Sequence, residues 1–411
     1  MSINPILSAL LRNKTGAVLV ALQVAISLAI LANALHIVNV RQEVVARPSG
    51  IADESEVFYV STRYLTRETA EFDKSLQQRE RALLRAIGGV VSVADVNQIP
   101  MSRSGNTTSV AIDRKQVNQS ADSSAYTSGE GLLKTWKMKR VEGRDFNSSD
   151  LLEVDQQVSD ETPKVAIISK ALAEKLWPGQ SATGRTMYFG TGEEARGVQI
   201  VGVVERLQSQ NAQVGETGEM SSIIPLRGYG GIPGATYTVR TEPGQLDRVM
   251  KEAEAGLSKM AGIPVIVKAR TVTGDRQARY RADMALSWML ITVSALLLVI
   301  TASGIVGMAS LWVTQRRKQI GVRRALGARR VDILRYFIAE NVMITSGGVV
   351  AGVMLAIALN QLLVSKLEMT KLPLDYLFVG AGVFIALGIL AVYGPAWRAA
   401  TISPATATRS A

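Results

Sequence analysis

The 411-residue chain has no cysteine and a single histidine, His36. Disulfide staples are therefore excluded, and one imidazole without thiols cannot assemble the Cys/His/carboxylate cluster of a metal centre. A lone histidine at the outer end of an apolar run reads as an interfacial side chain rather than a catalytic base. Two further patterns are missing: the G-x-x-x-x-G-K-[ST] loop that cradles nucleotide phosphates and the G-x-S-x-G nucleophile elbow. The chain therefore reads as non-catalytic, with no cofactor of its own, and any work it does must be powered elsewhere.

Charge is scarce over long stretches. Residues Gly16–Val38, Ala285–Val313 and Val342–Val364 carry no Lys, Arg, Asp or Glu, and a fourth apolar stretch, Leu374–Trp397, carries only Asp375 near its start. Each is about 20 residues or more, enough to cross a hydrocarbon core of about 30 Å. The second would make a helix of about 43 Å and should project beyond the lipid. Ala32-Asn33-Ala34 mimics a signal-peptide cleavage site. The apolar stretch around it exceeds the roughly 7–15 residues of a signal h-region, so a retained helix is expected.

The charge that is present is concentrated. Between Thr314 and Arg335 stand Arg316, Arg317, Lys318, Arg323, Arg324, Arg329, Arg330 and Arg335, against one acid, Asp332. Positive charge is retained on the cytoplasmic side of membranes, so this connection fixes the topology. Both termini then lie in the cytoplasm, and the inner segments account for +10 of the formal +11. The high pI is topological, pointing to membrane lipid and not to nucleic acid.

The resulting plan runs from a cytoplasmic amphipathic helix at 1–15, or an uneven extension of the first span, to a first membrane helix at 16–38. A large outer domain follows at 39–284, then membrane helices at 285–313, 336–365 and 374–397. These are joined by a cytoplasmic connection at 314–335 and a short outer one at 366–373, with a tail at 398–411. The outer domain alternates strands and helices irregularly, an α+β pattern. Strands are expected over 56–62, 90–96, 109–113, 164–168, 198–204, 222–226, 236–240 and 264–269. Helices are expected over 69–86, 170–177 (capped by Ser169) and 245–260. The stretch 118–131 reads as loop. Residues 275–287 read as a helical stalk that continues without Gly or Pro into the second span.

Within the basic connection, Ile320, Val322, Ala325 and Leu326 are expected to form one apolar stripe with arginines opposite. Gly327 suits the left-handed position that ends a helix, and Val331, Ile333 and Leu334 begin the next. The pattern reads as a lever for a cytoplasmic partner; the plainer alternative is a loop that touches only lipid head groups. Gly348 and Gly352 form a G-x-x-x-G pair, and Ser303 with Gly307 gives small-residue spacing. Both suit close helix packing, inside the bundle or against a second chain.

The run Gln319-Ile-Gly-Val-Arg-Arg-Ala-Leu-Gly-Ala-Arg-Arg330, with Asp332-Ile-Leu-Arg335 and Glu340, resembles the inner-loop signature of MacB/FtsX-type ABC permeases. Glu142-Gly-Arg-Asp-Phe146 with Asp150, Ile167-Ile-Ser169, Ala173–Gly179, Gly184-Arg-Thr186 and Val201-Gly-Val-Val204 resemble the matching periplasmic core. The resemblance implies four membrane helices with a two-lobed periplasmic domain, the second lobe at about 116–215. It implies a bacterial inner-membrane permease subunit that dimerises with a second copy or a sister permease. ATP and Mg would be bound by a partner dimer of ATP-binding subunits, and a periplasmic adaptor and TolC-like outer-membrane channel would complete an efflux path. Such a complex passes ATP-driven motion to the periplasm, for peptides, antibiotics or lipidated substrates. The coupling element would comprise Ile320, Gly321, Val322, Arg323, Arg324, Ala325, Leu326, Gly327 and Ala328. Two departures stand out. Gln315 and Gln319 replace acids that commonly flank the signature, and MacB's fused ATP-binding domain is absent from this sequence. The alternative within the family is an FtsX-like regulatory scaffold acting on a cell-wall hydrolase.

Overall fold

The computed structural model describes residues 14–129, 131–213, 215–231, 233–367 and 370–401. The expected amphipathic helix at 1–15 and most of the tail at 398–411 lie outside the described residues. In chain order the strands and α-helices are α1 (Lys14–Ala46), β1 (Val57–Tyr64), α2 (Ala70–Ala86), β2 (Val90–Asp95), β3 (Thr107–Ala111), β4 (Ala121–Thr127) and α3 (Leu132–Thr135). Next come β5 (Arg140–Gly143), β6 (Leu152–Asp155), β7 (Val165–Ser169), α4 (Lys170–Leu176), β8 (Thr186–Phe189), β9 (Arg196–Val204), β10 (Ser221–Ile224) and β11 (Leu226–Tyr229). The series closes with β12 (Ala235–Thr241), α5 (Leu246–Met260), β13 (Val265–Thr271), α6 (Val272–Gln315), α7 (Arg317–Ala325), α8 (Arg330–Leu367) and α9 (Leu374–Ala400). The residues divide into two units, one made of the chain up to Val45 and from Asp283 onward, the other of Ala46–Ala282.

Among the described residues four apolar helices, α1, α6, α8 and α9, are each long enough to cross a membrane, and the first unit holds them except for the first turns of α6. Alpha-helical spans are forced by the medium, because only a helix satisfies its backbone hydrogen bonds internally in hydrocarbon. The helix α1 is the most enclosed of the four and α6 the least. Val20, Val24, Leu28 and Leu31 of α1 pack with Ile305 and Trp312 of α6, Ile344 and Val349 of α8, and Phe384 and Val392 of α9. Hydroxyls and amides tie the helices at discrete points. Ser27 and Thr301 share a hydrogen bond of 2.9 Å, and Asn33 donates to the Ala356 carbonyl at 3.1 Å. Asn341 donates to the Gly388 carbonyl at 2.8 Å.

Two sheets build the second unit. Strands in the order β13-β1-β12-β2 form an antiparallel sheet. One face of it, with Phe58, Val60, Tyr237 and Val239, is covered by Leu84 of α2 and Val249, Ala253 and Leu257 of α5. Thr69 caps α2 by accepting from the Phe72 amide, and Ser169 caps α4 by accepting from the Leu172 amide. The other sheet runs β5-β9-β7-β10-β4-β3-β8, and a further β8–β9 pairing closes six of its strands into a ring. A two-stranded parallel pair, β6 with β11, stands apart.

The closed sheet takes in β3 and β10, which lie on either side of the 116–215 expected for the second lobe. Strand β4 occupies a stretch read as loop. Its alternation is carried by Ser, Ala and Tyr, too weak an apolar signal to separate strand from loop. The strand expected at 222–226 divides into β10 and β11, which pair with different partners.

Candidate functional site

The basic connection between α6 and α8 folds into a short helix, α7, held at several points. A nine-residue helix is marginal alone, so its position depends on what fixes it. At its start, Arg316 Nη1 reaches both carboxylate oxygens of Glu340 at 2.9 and 2.7 Å. Glu340 is nearly fully buried on α8, and Arg316 is 14% exposed. Ile320 is buried against the bundle core that also holds Ile333 and Phe337. The Arg323 guanidinium lies over the Tyr336 ring at 5.1 Å from the centroid, a cation–π contact.

The end of α7 is set by glycine. Gly327 sits at φ +97°, where a side chain would be strained. Its amide donates to the Arg324 carbonyl at 3.2 Å, and the Ala328 amide donates to the Arg323 carbonyl at 3.1 Å. This pair of backbone bonds is the Schellman closure. Two residues on, the Asp332 carboxylate accepts from the Arg329 amide at 3.0 Å and caps α8. A cleft of about 150 Å³ remains between α7 and α8, lined by Gln319, Ile320, Arg323, Asp332 and Tyr336.

Among the expected coupling residues, Ile320 and Gly321 are buried, while Arg324 and Ala328 are half-buried. Val322, Arg323, Ala325, Leu326 and Gly327 are exposed. The single apolar stripe therefore does not form. Ile320 faces the bundle, whereas Val322 and Leu326, one helical turn apart, face away from it at 52% and 83% exposure. Residues at i and i+2 lie on opposite sides of a helix, so Ile320 and Val322 cannot share a face. Sequence reasoning counted Arg316 only as a charge and Glu340 only within the inner-loop signature, and did not pair them. The available signal was Glu340 itself, a lone acid just ahead of an uncharged span.

The four expected packing residues divide into two kinds. Gly348 and Gly352 lie against α1: a Cβ at Gly348 would stand 2.7 Å from the Ala21 carbonyl oxygen, and one at Gly352 would stand 3.0 Å from the Ala25 Cα. Ser303 and Gly307 are exposed on α6, and nothing lies within 4 Å of a Cβ built at Gly307.

In the second unit, the first turns of α6 are fixed by ion pairs. Arg276 grips Glu54 with two bonds, Nε to Oε2 at 2.8 Å and Nη2 to Oε1 at 2.5 Å. Burial alone would raise the Glu54 pKa, but bonds from Arg276 and Ser49 overcome it and lower it. Tyr59 donates to Asp275 at 2.7 Å. In the Glu142–Phe146 motif, Gly143 ends β5 at φ +69°, and Arg144 pairs with Asp150. Hydrogen bonding from Arg144 holds the Asp150 carboxyl below its ordinary pKa. No group of three or more His, Cys, Asp or Glu positioned for a metal occurs among the described residues.

Residues 18–256 match the MacB-like periplasmic core domain, and residues 291–404 match the FtsX-like permease C-terminal domain. Over 324 residues, the chain is 27% identical to the macrolide export ATP-binding/permease protein MacB of Neisseria gonorrhoeae, covering 74% of this chain and 45% of that protein. Over 134 residues it is 32% identical to the pyoverdine export ATP-binding/permease protein PvdT of Pseudomonas syringae pv. tomato, covering 33% of this chain and 20% of that protein. The chain thus spans less than half the length of these relatives. A solved structure of the periplasmic region of MacB from Actinobacillus actinomycetemcomitans is similar at 14% identity, covering 59% of this chain and 98% of that one, with a TM-score of 0.34. The extracellular domain of the ABC-type transporter YknZ from Gram-positive bacteria is similar at 18% identity, covering 52% of this chain and all of that one, with a TM-score of 0.34. With its four apolar helices and its α+β outer domain, the chain belongs to the MacB/FtsX-type family of ABC transporter permeases.

Proposed function

We propose that this chain is the permease half of an ATP-driven complex whose nucleotide-binding subunits are separate polypeptides. The observation that carries this reading is α7, a short basic helix clamped to α8 by Arg316–Glu340 and Arg323–Tyr336 while Val322 and Leu326 stand outward. A clamped helix moves its neighbours when it is pushed, whereas a loop would absorb the motion. Its arginines suit an acidic surface on the ATP-binding dimer, and the two apolar side chains suit a shallow pocket there. Closure of that dimer on ATP and Mg would shift α7, then α8 and α6, both packed in the same core.

The helix α6 is unbroken from Val272 to Gln315, about 66 Å at 1.5 Å per residue, and supplies the mechanical link to the outer domain. Both termini lie in the cytoplasm of this arrangement, and the outer domain is periplasmic. The names of the relatives favour export, so the work delivered would be efflux of peptides, antibiotics or lipidated compounds. A periplasmic adaptor and an outer-membrane channel would receive the cargo. Permease pairing, with a second copy or a sister chain, is assigned to the exposed Ser303–Gly307 face of α6.

The test is to co-express the chain with its ATP-binding subunit and measure ATPase stimulation after Arg323→Glu and Arg324→Glu. Stimulation should fall with complex formation. Unchanged stimulation would refute the docking role of α7.

A further inference from the structure

The outer unit buries a polar cluster that nothing above uses. Between α2 and the four-stranded sheet lie Asp73, Glu80 and Arg81 of α2 with Tyr64 of β1, each at most 6% exposed. Every one has an enclosed polar atom without a hydrogen-bond partner: Tyr64 Oη, Asp73 Oδ1, Glu80 Oε1 and Arg81 Nη1. Four such atoms in one place are unusual, because an unpaired buried polar group costs about 1–3 kcal/mol.

The remaining bonds define the site. Tyr237 of β12 donates to Glu80 Oε2 at 2.6 Å, and the Gly230 amide donates to Asp73 Oδ2 at 3.0 Å. The charged and titratable groups facing Glu80 are Asp73 and Arg81 from its own helix, Tyr64 from β1 and Tyr237 from β12. Arg81 also approaches Tyr229 of β11. Two carboxyls therefore stand with one guanidinium. With both carboxyls ionised, the pocket would hold a surplus negative charge out of water, a costly arrangement. A proton on Glu80 Oε1 removes that surplus, and the other unpaired atoms are two donors, the Tyr64 hydroxyl and Arg81 Nη1, with one acceptor, Asp73 Oδ1. A crevice of about 10 Å³, room for about one water, opens beside Tyr64 and Asp73.

We propose that the buried Glu80 carboxyl is a proton-binding site that holds α2 on β1 and β12, and that releasing its proton loosens this helix. Burial raises the Glu80 pKa and outweighs the lowering by the Tyr237 and Tyr64 hydroxyls, with the Asp73 charge adding to the rise. The sign follows from that direction. The native state binds a proton that the open state gives up, so stability is full below the ordinary carboxylate pKa and is lost as pH rises to the native one. A domain outside the cytoplasmic membrane meets the pH of the medium, so α2 would respond to external acidity.

The test is amide hydrogen exchange of residues 70–86 in the full chain, in detergent, as a function of pH and corrected for the intrinsic chemical rate. In the native sequence, protection should fall by up to about tenfold per pH unit through the window, then level off. In Glu80→Gln, which mimics the neutral acid, that fall should vanish. The same fall in Glu80→Gln would overturn the proposal. Should that variant not fold, the infrared C=O band of a protonated carboxyl in the native protein, followed upward in pH, decides, and its loss at the ordinary carboxylate pKa overturns the proposal.

Discussion

Removing Arg316 should cost far more than its position near the end of a membrane helix suggests. The pair is asymmetric: Arg316 is 14% exposed and Glu340 only 2%. Arg316→Ala leaves the Glu340 carboxyl buried and without its cation, and breaking a buried pair this way costs about 3–5 kcal/mol. We expect about 3 kcal/mol, since the arginine side is nearest to water. Glu340→Leu is milder, about 2 kcal/mol, because the longer guanidinium can swing toward solvent. The double variant Arg316→Ala/Glu340→Leu should be less damaged than Arg316→Ala alone, because no charge is left stranded. Amide exchange of residues 317–325 reads the opening of α7 directly. About 3 kcal/mol corresponds to a shift of about a hundredfold in that equilibrium. A shift under about threefold, or a double variant as loosened as Arg316→Ala, would refute the clamp.

Other outcomes follow from the same geometry. Gly348→Ala should lower the thermal stability of the membrane unit by about 1–3 kcal/mol, since its new Cβ meets the α1 backbone. Gly307→Leu, in open space, should leave stability unchanged and reduce only chain–chain crosslinking, so equal loss of stability in both variants would count against the two-face assignment. Burial would raise the Glu153 pKa, but bonds from Lys74 and Arg227 hold it down at about 2. Its contribution is present above the ordinary value of 4.5 and is lost as pH falls toward about 2. Glu153→Gln should therefore flatten the acid limb of outer-unit unfolding, and an unaltered limb would contradict the assignment.

The spans and the cap residues were legible because each depends on local chemistry. Uncharged runs in 16–38 and 285–313 leave no choice but helix in lipid, Ser169 announces a helix start, and Gly327 announces an end. Long-range pairing was not legible. Arg316 and Glu340 are 24 residues apart and meet only because α7 turns back along α8. The closed sheet likewise recruits β3 and β10 through pairings that no local pattern specifies. The split of the apolar stripe was recoverable from helical spacing alone, since Ile320 and Val322 stand two residues apart.

The most direct test of the central claim is photocrosslinking in cells from a benzophenone side chain placed at position 326 in place of Leu326. Docking of α7 on an ATP-binding subunit predicts a crosslinked adduct that contains a nucleotide-binding polypeptide and disappears in the Arg323→Glu/Arg324→Glu background. Adducts with periplasmic proteins alone, or an adduct with the ATP-binding subunit that persists after both charge reversals, would contradict it.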